Sequence, residues 1–268
     1  PPGLYPDEAI DGNNAAETAR TGQFKVFYTE DNGREGLYVN IVAVILKAFP
    51  IYEPWIIRIP AMIAGVLTVL GMYFLVTELF RKRETEKTPL SKPISDPDEK
   101  TLDSKFHILN SSSVIALLAS FFLATSFWHI NFSRIGFRAI LAPLLLVWSL
   151  YFLIKAFKTV SAWPATIYAA IAGIIYGLGF YTYIAYRITP PFFLLFIPFF
   201  GKGKSFWRRV LVFIVLAFIT VTPIGYYFLE HSADFLGRTA EVSVTNSANP
   251  LLNLVVNVTK TSLMFNFH

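Results

Sequence analysis

The chain opens with a polar stretch and then alternates long apolar runs with short charged connections. Within the polar residues 1–36, the segment 6–20 predicts a short helix, because proline suits the first helical turn and the acids Asp7 and Glu8 favour the positive end of the helix dipole. Residues 37–49 are apolar, but a helix of that length rises only about 20 Å against about 30 Å of bilayer hydrocarbon. We therefore expect this segment to lie in the membrane interface, or to dip into it, rather than to cross.

The later apolar runs predict membrane-spanning helices. They are about 58–80, 111–130, 138–157, 164–184, 188–200 and 209–229. The run at 188–200 is the weakest, because it is short and contains three prolines. The pattern predicts an all-α fold, a polytopic transmembrane helical bundle. Its predicted parts are a first loop with juxtamembrane helices at 1–57, a transmembrane region of about six spans at 58–229 and a final loop segment at 230–268.

Composition agrees with a membrane protein and disfavours several other classes. The 268 residues are 54% hydrophobic and only 15% charged, which is unusual for a soluble domain. The net charge of +5 does not indicate nucleic acid, because the basic residues form short clusters between apolar runs. There is no cysteine, which excludes disulfides, thiolate chemistry and cysteine metal sites from this sequence. Since the chain starts at Pro1 without methionine, we expect a fragment that lacks a span before Pro1 and further spans after His268.

Basic residues predict how the spans are oriented, since Lys and Arg are enriched in cytoplasmic loops. If each of the six runs crosses once, the basic clusters all fall on one face. These clusters are the loop 81–107, Lys155 with Lys158, and the loop 201–209. We expect the charge-mixed loop 81–107 to be a mobile cytoplasmic linker. The loops expected on the other side are 1–57, 131–137, 185–187 and 230–268. We therefore predict a multi-pass protein of the plasma (inner) membrane, with Asp7, Glu8 and the active site on the extracytoplasmic face.

The strongest candidates for chemistry are the neighbouring carboxylates Asp7 and Glu8. A carboxylate at the membrane face can act as a general base on a hydroxyl group. The alternative is an ordinary helix start, where acids are common. Glu30, Asp31 and Glu35 could supply a second carboxylate, and the alternative for these three is a solvated loop.

Five arginines fall in the outward loops or at outward span ends: Arg34, Arg58, Arg134, Arg138 and Arg187. A guanidinium fork suits a phosphate group, and a lipid-linked phosphate or pyrophosphate would approach the membrane face at this depth. The alternative for any one of them is an arginine that extends to the lipid headgroups. Arg134 and Arg187 rank first because each lies in a short outer turn.

Other common catalytic patterns are missing from the sequence. His129 and His231 lie near outer span ends, and we expect both to be interfacial, because no paired-histidine or similar metal-binding spacing is present. No Gly-rich phosphate loop and no nucleophilic serine elbow occur either. If the protein transfers a group, a donor that lives in the membrane fits better than a nucleotide.

Several motifs, in order, resemble the GT-C glycosyltransferases. More narrowly, the chain is similar to the bacterial relatives of the dolichyl-phosphate-mannose protein mannosyltransferases and the aminoarabinose lipid A transferases. The matching stretches are YPDEAIDGNNAAETARTGQF, GREGLYVNIVAVILKAF, WIIRIPAMIAGVLTVLGMYFLVTELF, NFSRIGFRAILAPLLLVWSLYFLIKAF and YGLGFYTYIAYRITP. Together they cover nearly all of the chain.

The resemblance implies an inverting transfer of a sugar from a polyprenyl-phosphate donor to a hydroxyl of a protein, lipid or glycan acceptor. In that family the first outer loop carries the essential acid, which by resemblance is Asp7, with Glu8 beside it. Arg134 and Arg187, with Arg58 and Arg138, would hold the departing phosphate.

Two features depart from the family. Family members often carry a basic or histidine residue and prolines before the Leu37-Tyr38 turn, where this chain has Arg34-Glu35-Gly36. Aminoarabinose-type members also carry an acid in the second outer loop, and residues 133–138 of this chain contain none. No metal site of the family's kind is therefore predicted, and a divalent metal is left open.

Two other functional classes compete with the enzyme. A transporter or lipid flippase would need ionisable groups deep in the spans and usually a repeated architecture. The span cores contain no Asp, Glu, Lys or Arg, and no inverted repeat is visible. A non-catalytic assembly subunit that keeps the same fold is the third alternative.

Overall fold

The computed structural model describes residues 3–31, 33–81, 111–235 and 249–263. The polar head forms helix α1 (Pro6–Thr21), as predicted, and α1 ends where Gly22 adopts a left-handed conformation. A small hairpin follows, with β1 (Phe27–Tyr28) antiparallel to β2 (Arg34–Glu35). The hairpin was not predicted, because a two-residue strand carries no alternation to detect.

The rest of the described chain is helical. The helices are α2 (Leu37–Ala48), α3 (Pro54–Phe80), α4 (Ser111–Thr125), α5 (Phe127–Arg134), α6 (Leu141–Lys158), α7 (Ala162–Leu178), α8 (Thr189–Phe196), α9 (Lys204–Glu230) and α10 (Pro250–Leu263). Short 3₁₀ turns occupy Arg138–Ile140, Gly179–Tyr181, Ile184–Ile188 and Ile197–Phe200. The helical class of the chain is thereby confirmed.

In the part of the chain that the structure describes, four helices are long and apolar enough to cross a membrane: Pro54–Phe80, Arg138–Lys158, Ala162–Tyr181 and Lys204–Glu230. The prediction of six spans is corrected at two places in the described residues. The run at 111–130 is a broken pair, in which Ser113–Thr125 and Phe127–Arg134 are bent by 60°. These two helices give a fifth span only if the bent pair is counted as a single membrane span.

The run at 188–200 is the second correction, since α8 has only eight residues before a 3₁₀ turn. Pro198 helps to explain where the α-helix ends, because it lacks the backbone N–H that would continue the helical hydrogen-bond ladder. The segment nevertheless passes from one end of the bundle to the other. Arg187 just before it pairs with Glu35, and Phe200 at its end packs on Phe157.

Contacts between helix ends define a lysine end of the bundle. Lys158 donates to the backbone carbonyls of Leu79 and Arg81, at the end of α3. Arg209, near the start of α9, donates to the Ala156 carbonyl at 2.8 Å. The three basic segments that the orientation argument groups on one face therefore meet at one end. The linker predicted at 81–107 lies, from residue 82 on, outside the described residues.

The opposite end, which we call the acid end, is covered by α1, the hairpin and α2. Tyr38, at the start of α2, donates to the Ile57 carbonyl near the start of α3. Leu46, near the end of α2, lines a small cavity together with Pro54. Both ends of α2 therefore lie near the start of α3. The helix predicted at 37–49 is confirmed, and its placement in a membrane interface stays a prediction.

Helices α7 and α9 pack unusually close. One face of α7 presents only small side chains, at Ala165, Ala169, Gly173 and Gly177, which recur every four residues and are buried. A side chain at Gly173 would place its Cβ 2.4 Å from the Phe213 carbonyl oxygen of α9. Small residues at this spacing let two membrane helices bring their backbones into contact, and van der Waals packing then holds the pair together.

Candidate functional site

Glu8 is almost fully buried in the first turn of α1, at 1% exposure. One of its carboxylate oxygens accepts hydrogen bonds from Arg58 Nε at 2.7 Å and from the Gly136 backbone N–H at 2.6 Å. The other accepts from Arg58 Nη2 at 3.0 Å and from the Tyr5 N–H at 2.8 Å. Burial acts to raise the pKa of Glu8, but the hydrogen bonds from Arg58, Gly136 and Tyr5 outweigh it and lower the pKa. Glu8 is therefore an ionised carboxylate with both oxygens occupied.

Gly136 allows the loop between α5 and α6 to reach Glu8. A Cβ at this position would lie 2.8 Å from an Ile57 side-chain carbon and 3.3 Å from Glu8 Oε1. Any side chain would therefore push the loop away from α1. The glycine keeps a backbone donor on the carboxylate and holds the loop against the start of α3.

Arg34 is the centre of the acid end. Its guanidinium, 1% exposed, lies 2.9 Å from Asp7 Oδ1, 3.0 Å from Asp11 Oδ1 and 2.6 Å from Asp31 Oδ2. The Asp7 side chain keeps 39% of its surface exposed. Within the described residues, the second oxygen of Asp7 has no hydrogen-bond partner. Asp7 is thus a carboxylate that is fixed at one oxygen and accessible at the other.

Asp11 ties three segments together. It is fully buried, and its Oδ1 also lies 3.7 Å from Arg138 Nη1, at the start of the span that contains α6. Burial raises the pKa of Asp11, and the nearby guanidinium groups of Arg138 and Arg34 only partly offset that effect. The guanidinium of Arg138 also faces the rings of Phe137 and Tyr183, at 5.8 and 5.7 Å. Asp11 therefore links α1, the hairpin and α6.

Arg187 joins the acid end from the 3₁₀ turn before α8. Its Nη2 lies 3.1 Å from Glu35 Oε1, and its guanidinium carbon lies 4.8 and 4.7 Å from the ring centroids of Phe228 and Phe235. Glu35 is only 2% exposed. The solvated-loop alternative is therefore wrong for Glu35. It holds for Glu30, which is exposed.

The other predicted residues lie apart from this network. Arg134 is exposed at the end of α5. His129 Nε2 lies 3.1 Å from the Gly65 carbonyl oxygen, between α5 and α3. His231 stacks on Tyr227 at 4.5 Å. The alternative in which the arginines extend to lipid headgroups fails for Arg138, which is buried.

Sequence reasoning named Asp31 only as a possible second carboxylate, missed Asp11 and did not place Arg34 at the centre of the site. One signal was available for Asp11. It follows Asp7 by four residues on α1, so both carboxylates lie on the same helix face. No local pattern connects either of them to Arg34, which is more than twenty residues away.

A long apolar cavity of about 540 Å³ runs beside the segment 188–200. It is lined on one side by α3 and α6, and on the other by the segment itself. Its lining starts at Ile188, which follows Arg187 in the chain, and reaches Phe157 and Phe200 at the lysine end. A lipid chain is the kind of ligand that fits such a lining.

Within the described residues, no group of three or more His, Asp or Glu side chains is placed to hold a metal ion. No protein-family model, curated protein or solved structure matches this chain. The functional argument consequently depends on the geometry of the acid end.

Proposed function

We propose that this chain belongs to an inverting, membrane-embedded glycosyltransferase that moves a sugar from a polyprenyl-phosphate donor to a hydroxyl of a protein, lipid or glycan. One observation carries the proposal. The two neighbouring residues of β2 connect the proposed base to the proposed phosphate ligand, since Arg34 holds Asp7 and Glu35 holds Arg187. A base and a phosphate-binding cation at one end of a bundle of apolar helices are the two parts that such a transfer requires.

In the proposed reaction, Asp7 accepts the proton of the acceptor hydroxyl as its oxygen attacks the anomeric carbon of the sugar. The new C–O bond forms on one face of the sugar while the bond to the phosphate oxygen breaks on the other. The electron pair of the broken bond leaves with the polyprenyl phosphate. Arg34 supports this step by fixing one oxygen of Asp7 and leaving the other exposed to the acceptor.

The departing phosphate gains negative charge, which a guanidinium would stabilise. Arg187 is the preferred ligand, because it lies next to the start of the apolar cavity of 540 Å³ and beside a second apolar cavity. Arg134, exposed in the next outer turn, is the second candidate. Arg58 and Arg138 pair with Glu8 and Asp11, which favours a supporting role for these two. The apolar cavity would receive the prenyl chain.

The alternative is a transporter or lipid flippase. The charged residues of the long spans that the structure describes lie at their ends, as Arg58, Lys158 and Arg209 illustrate. A transport pathway would need such groups near the middle of the spans. This distribution favours the enzyme.

A transfer assay tests the proposed function directly. Full-length protein in proteoliposomes should convert radiolabelled polyprenyl-phosphate sugars to free polyprenyl phosphate when membrane extract supplies the acceptors. A panel of pentosyl and hexosyl donors covers the unknown sugar. If the intact labelled lipid moves between leaflets and no donor is consumed for any sugar, the glycosyltransferase proposal is wrong and the flippase alternative is supported.

The sidedness of the acid end can be measured separately. Tyr5 is 62% exposed beside Asp7, and Lys202 is exposed near the lysine end. With each replaced in turn by cysteine, we expect a membrane-impermeant maleimide to label Tyr5→Cys on intact cells. Lys202→Cys should react only after permeabilisation. The reverse pattern would place the acids in the cytosol and remove the proposed reaction.

A further inference from the structure

The ion pair between Glu35 and Arg187 has an uneven environment. Glu35 is 2% exposed, and its Oε2 is buried without a hydrogen-bond partner within the described residues. Its Oε1 receives the single bond from Arg187 Nη2 at 3.1 Å. A buried carboxylate with one oxygen unsatisfied is costly, so this pair is not optimised for stability alone.

Among the described residues that line an apolar cavity of about 440 Å³, Arg187 is the only charged one. The other lining residues are Phe180, Val221, Ile224, Gly225, Phe228, Leu229 and Phe235. Phe228 and Phe235 lie close to the guanidinium, at 4.8 and 4.7 Å from its carbon. A ligand in this cavity would meet an apolar wall along its body and the Arg187 guanidinium at its head. An amphiphile with an anionic headgroup matches that arrangement.

The Glu35 carboxylate occupies Arg187 Nη2, one of the guanidinium nitrogens to which such a headgroup would bind. A carboxylate and a phosphate present similar oxygens to an arginine fork, and both neutralise the same positive charge. In a site this poorly exposed to water, the two anions would also repel each other. Binding of a lipid phosphate therefore has to overcome the contact with Glu35.

We propose that Glu35 competes with the lipid phosphate for Arg187. Glu35 pairs with Arg187 in the empty site, loses this ion pair when the phosphate binds, and forms it again when the product leaves. This inference rests on the proposed function, which assigns the phosphate to Arg187. It gives Glu35 a role in release rather than in proton transfer. Glu35 sets how tightly the product is held, so it prevents polyprenyl phosphate from blocking the next turnover.

Binding of tritiated farnesyl phosphate to the full-length protein in detergent tests the proposal without any sugar transfer. We expect Glu35→Gln to bind this probe at least about fivefold more tightly, because the neutral amide no longer competes for Arg187. Glu35→Asp keeps the charge but withdraws it by one methylene, and should change the affinity in the same direction by less. Farnesol, which has no phosphate, should bind equally to all variants.

Glu30→Gln is the matched control, since it removes the same charge from an exposed position in the loop that joins β1 to β2. It should leave the affinity within about twofold, because exposed charges are screened. In Arg187→Gln the affinity for farnesyl phosphate should fall to that for farnesol, and adding Glu35→Gln to this variant should then change nothing.

The outcomes separate the inference from the proposed function. If Arg187→Gln loses the probe while Glu35→Gln and Glu35→Asp bind it no better than wild type, the competitor role is wrong and the phosphate site stands. If Arg187→Gln binds the probe normally, the phosphate assignment fails, and the inference fails with it.

Discussion

Replacing Asp7 with Asn should abolish sugar transfer and leave a folded, membrane-inserted protein. Asn cannot accept the proton of the acceptor hydroxyl, and loss of a general base typically slows a reaction by about 10² to 10⁴-fold. The fold should survive because the Asp7 side chain is 39% exposed, and Arg34 keeps its contacts with Asp11 and Asp31. The measurement is the initial rate of polyprenyl-phosphate release from the labelled donor.

Asp31→Asn is the matched control for this experiment. Asp31 contacts the same guanidinium nitrogen, Arg34 Nη2, and its side chain is 58% exposed. Its backbone φ of 49° is a conformation that Asn tolerates well. If Asp7 mattered only through its ion pair with Arg34, both variants would lose activity together. Transfer at the wild-type rate by Asp7→Asn would remove the base assignment.

Replacing Asp11 with Asn should destabilise the protein by about 3–5 kcal/mol, the usual result of removing one partner from a buried ion pair. Asp11 is fully buried between the guanidinium groups of Arg34 and Arg138, and each of these is 1% exposed. Without the carboxylate, two buried positive charges face each other with less compensation. Burial raises the pKa of Asp11, and the guanidinium groups of Arg138 and Arg34 offset this in part.

The midpoint of thermal unfolding in detergent measures this loss. Asp31→Asn again serves as the comparison, because it removes the same charge from the same arginine at a largely exposed position, where an ion pair contributes about 1 kcal/mol or less. Equal midpoints for the two variants would mean that the buried network does not hold the acid end together. A large drop for Asp11→Asn alone is the expected result.

The apolar spans and the first helix could be predicted because their signals are local. Segments of about twenty apolar residues and a proline followed by two acids need no knowledge of the fold. The prediction of a spanning helix at 188–200 was wrong because it used only this local signal. Hydropathy detects the apolar residues of this run but not the end of α8 before Pro198.

The network at the acid end could not be predicted, because its contacts join residues far apart in the chain. Glu8 meets the Gly136 backbone across 128 positions, and Arg187 meets Glu35 across 152. Arginines near span ends ordinarily extend towards lipid headgroups, and the sequence does not show that Arg138 instead turns inward to Asp11. Only tertiary packing decides whether such an arginine side chain extends to the headgroups or turns into the protein.

The close backbone contact between α7 and α9 limits where a lipid tail can go. The two helices touch at Gly173 and Gly177, whereas a side chain at Gly225, nearer the acid end, would meet nothing within 4 Å. The cavity of about 440 Å³ beside Arg187 has its lining on α9 from Val221 onwards, so it ends where Gly177 meets Thr220. A long prenyl tail whose head sits there has to turn sideways, either into the surrounding bilayer or over the segment that follows Arg187. Short-chain and long-chain donors should therefore share one headgroup position and differ only in the part of the tail that leaves the protein.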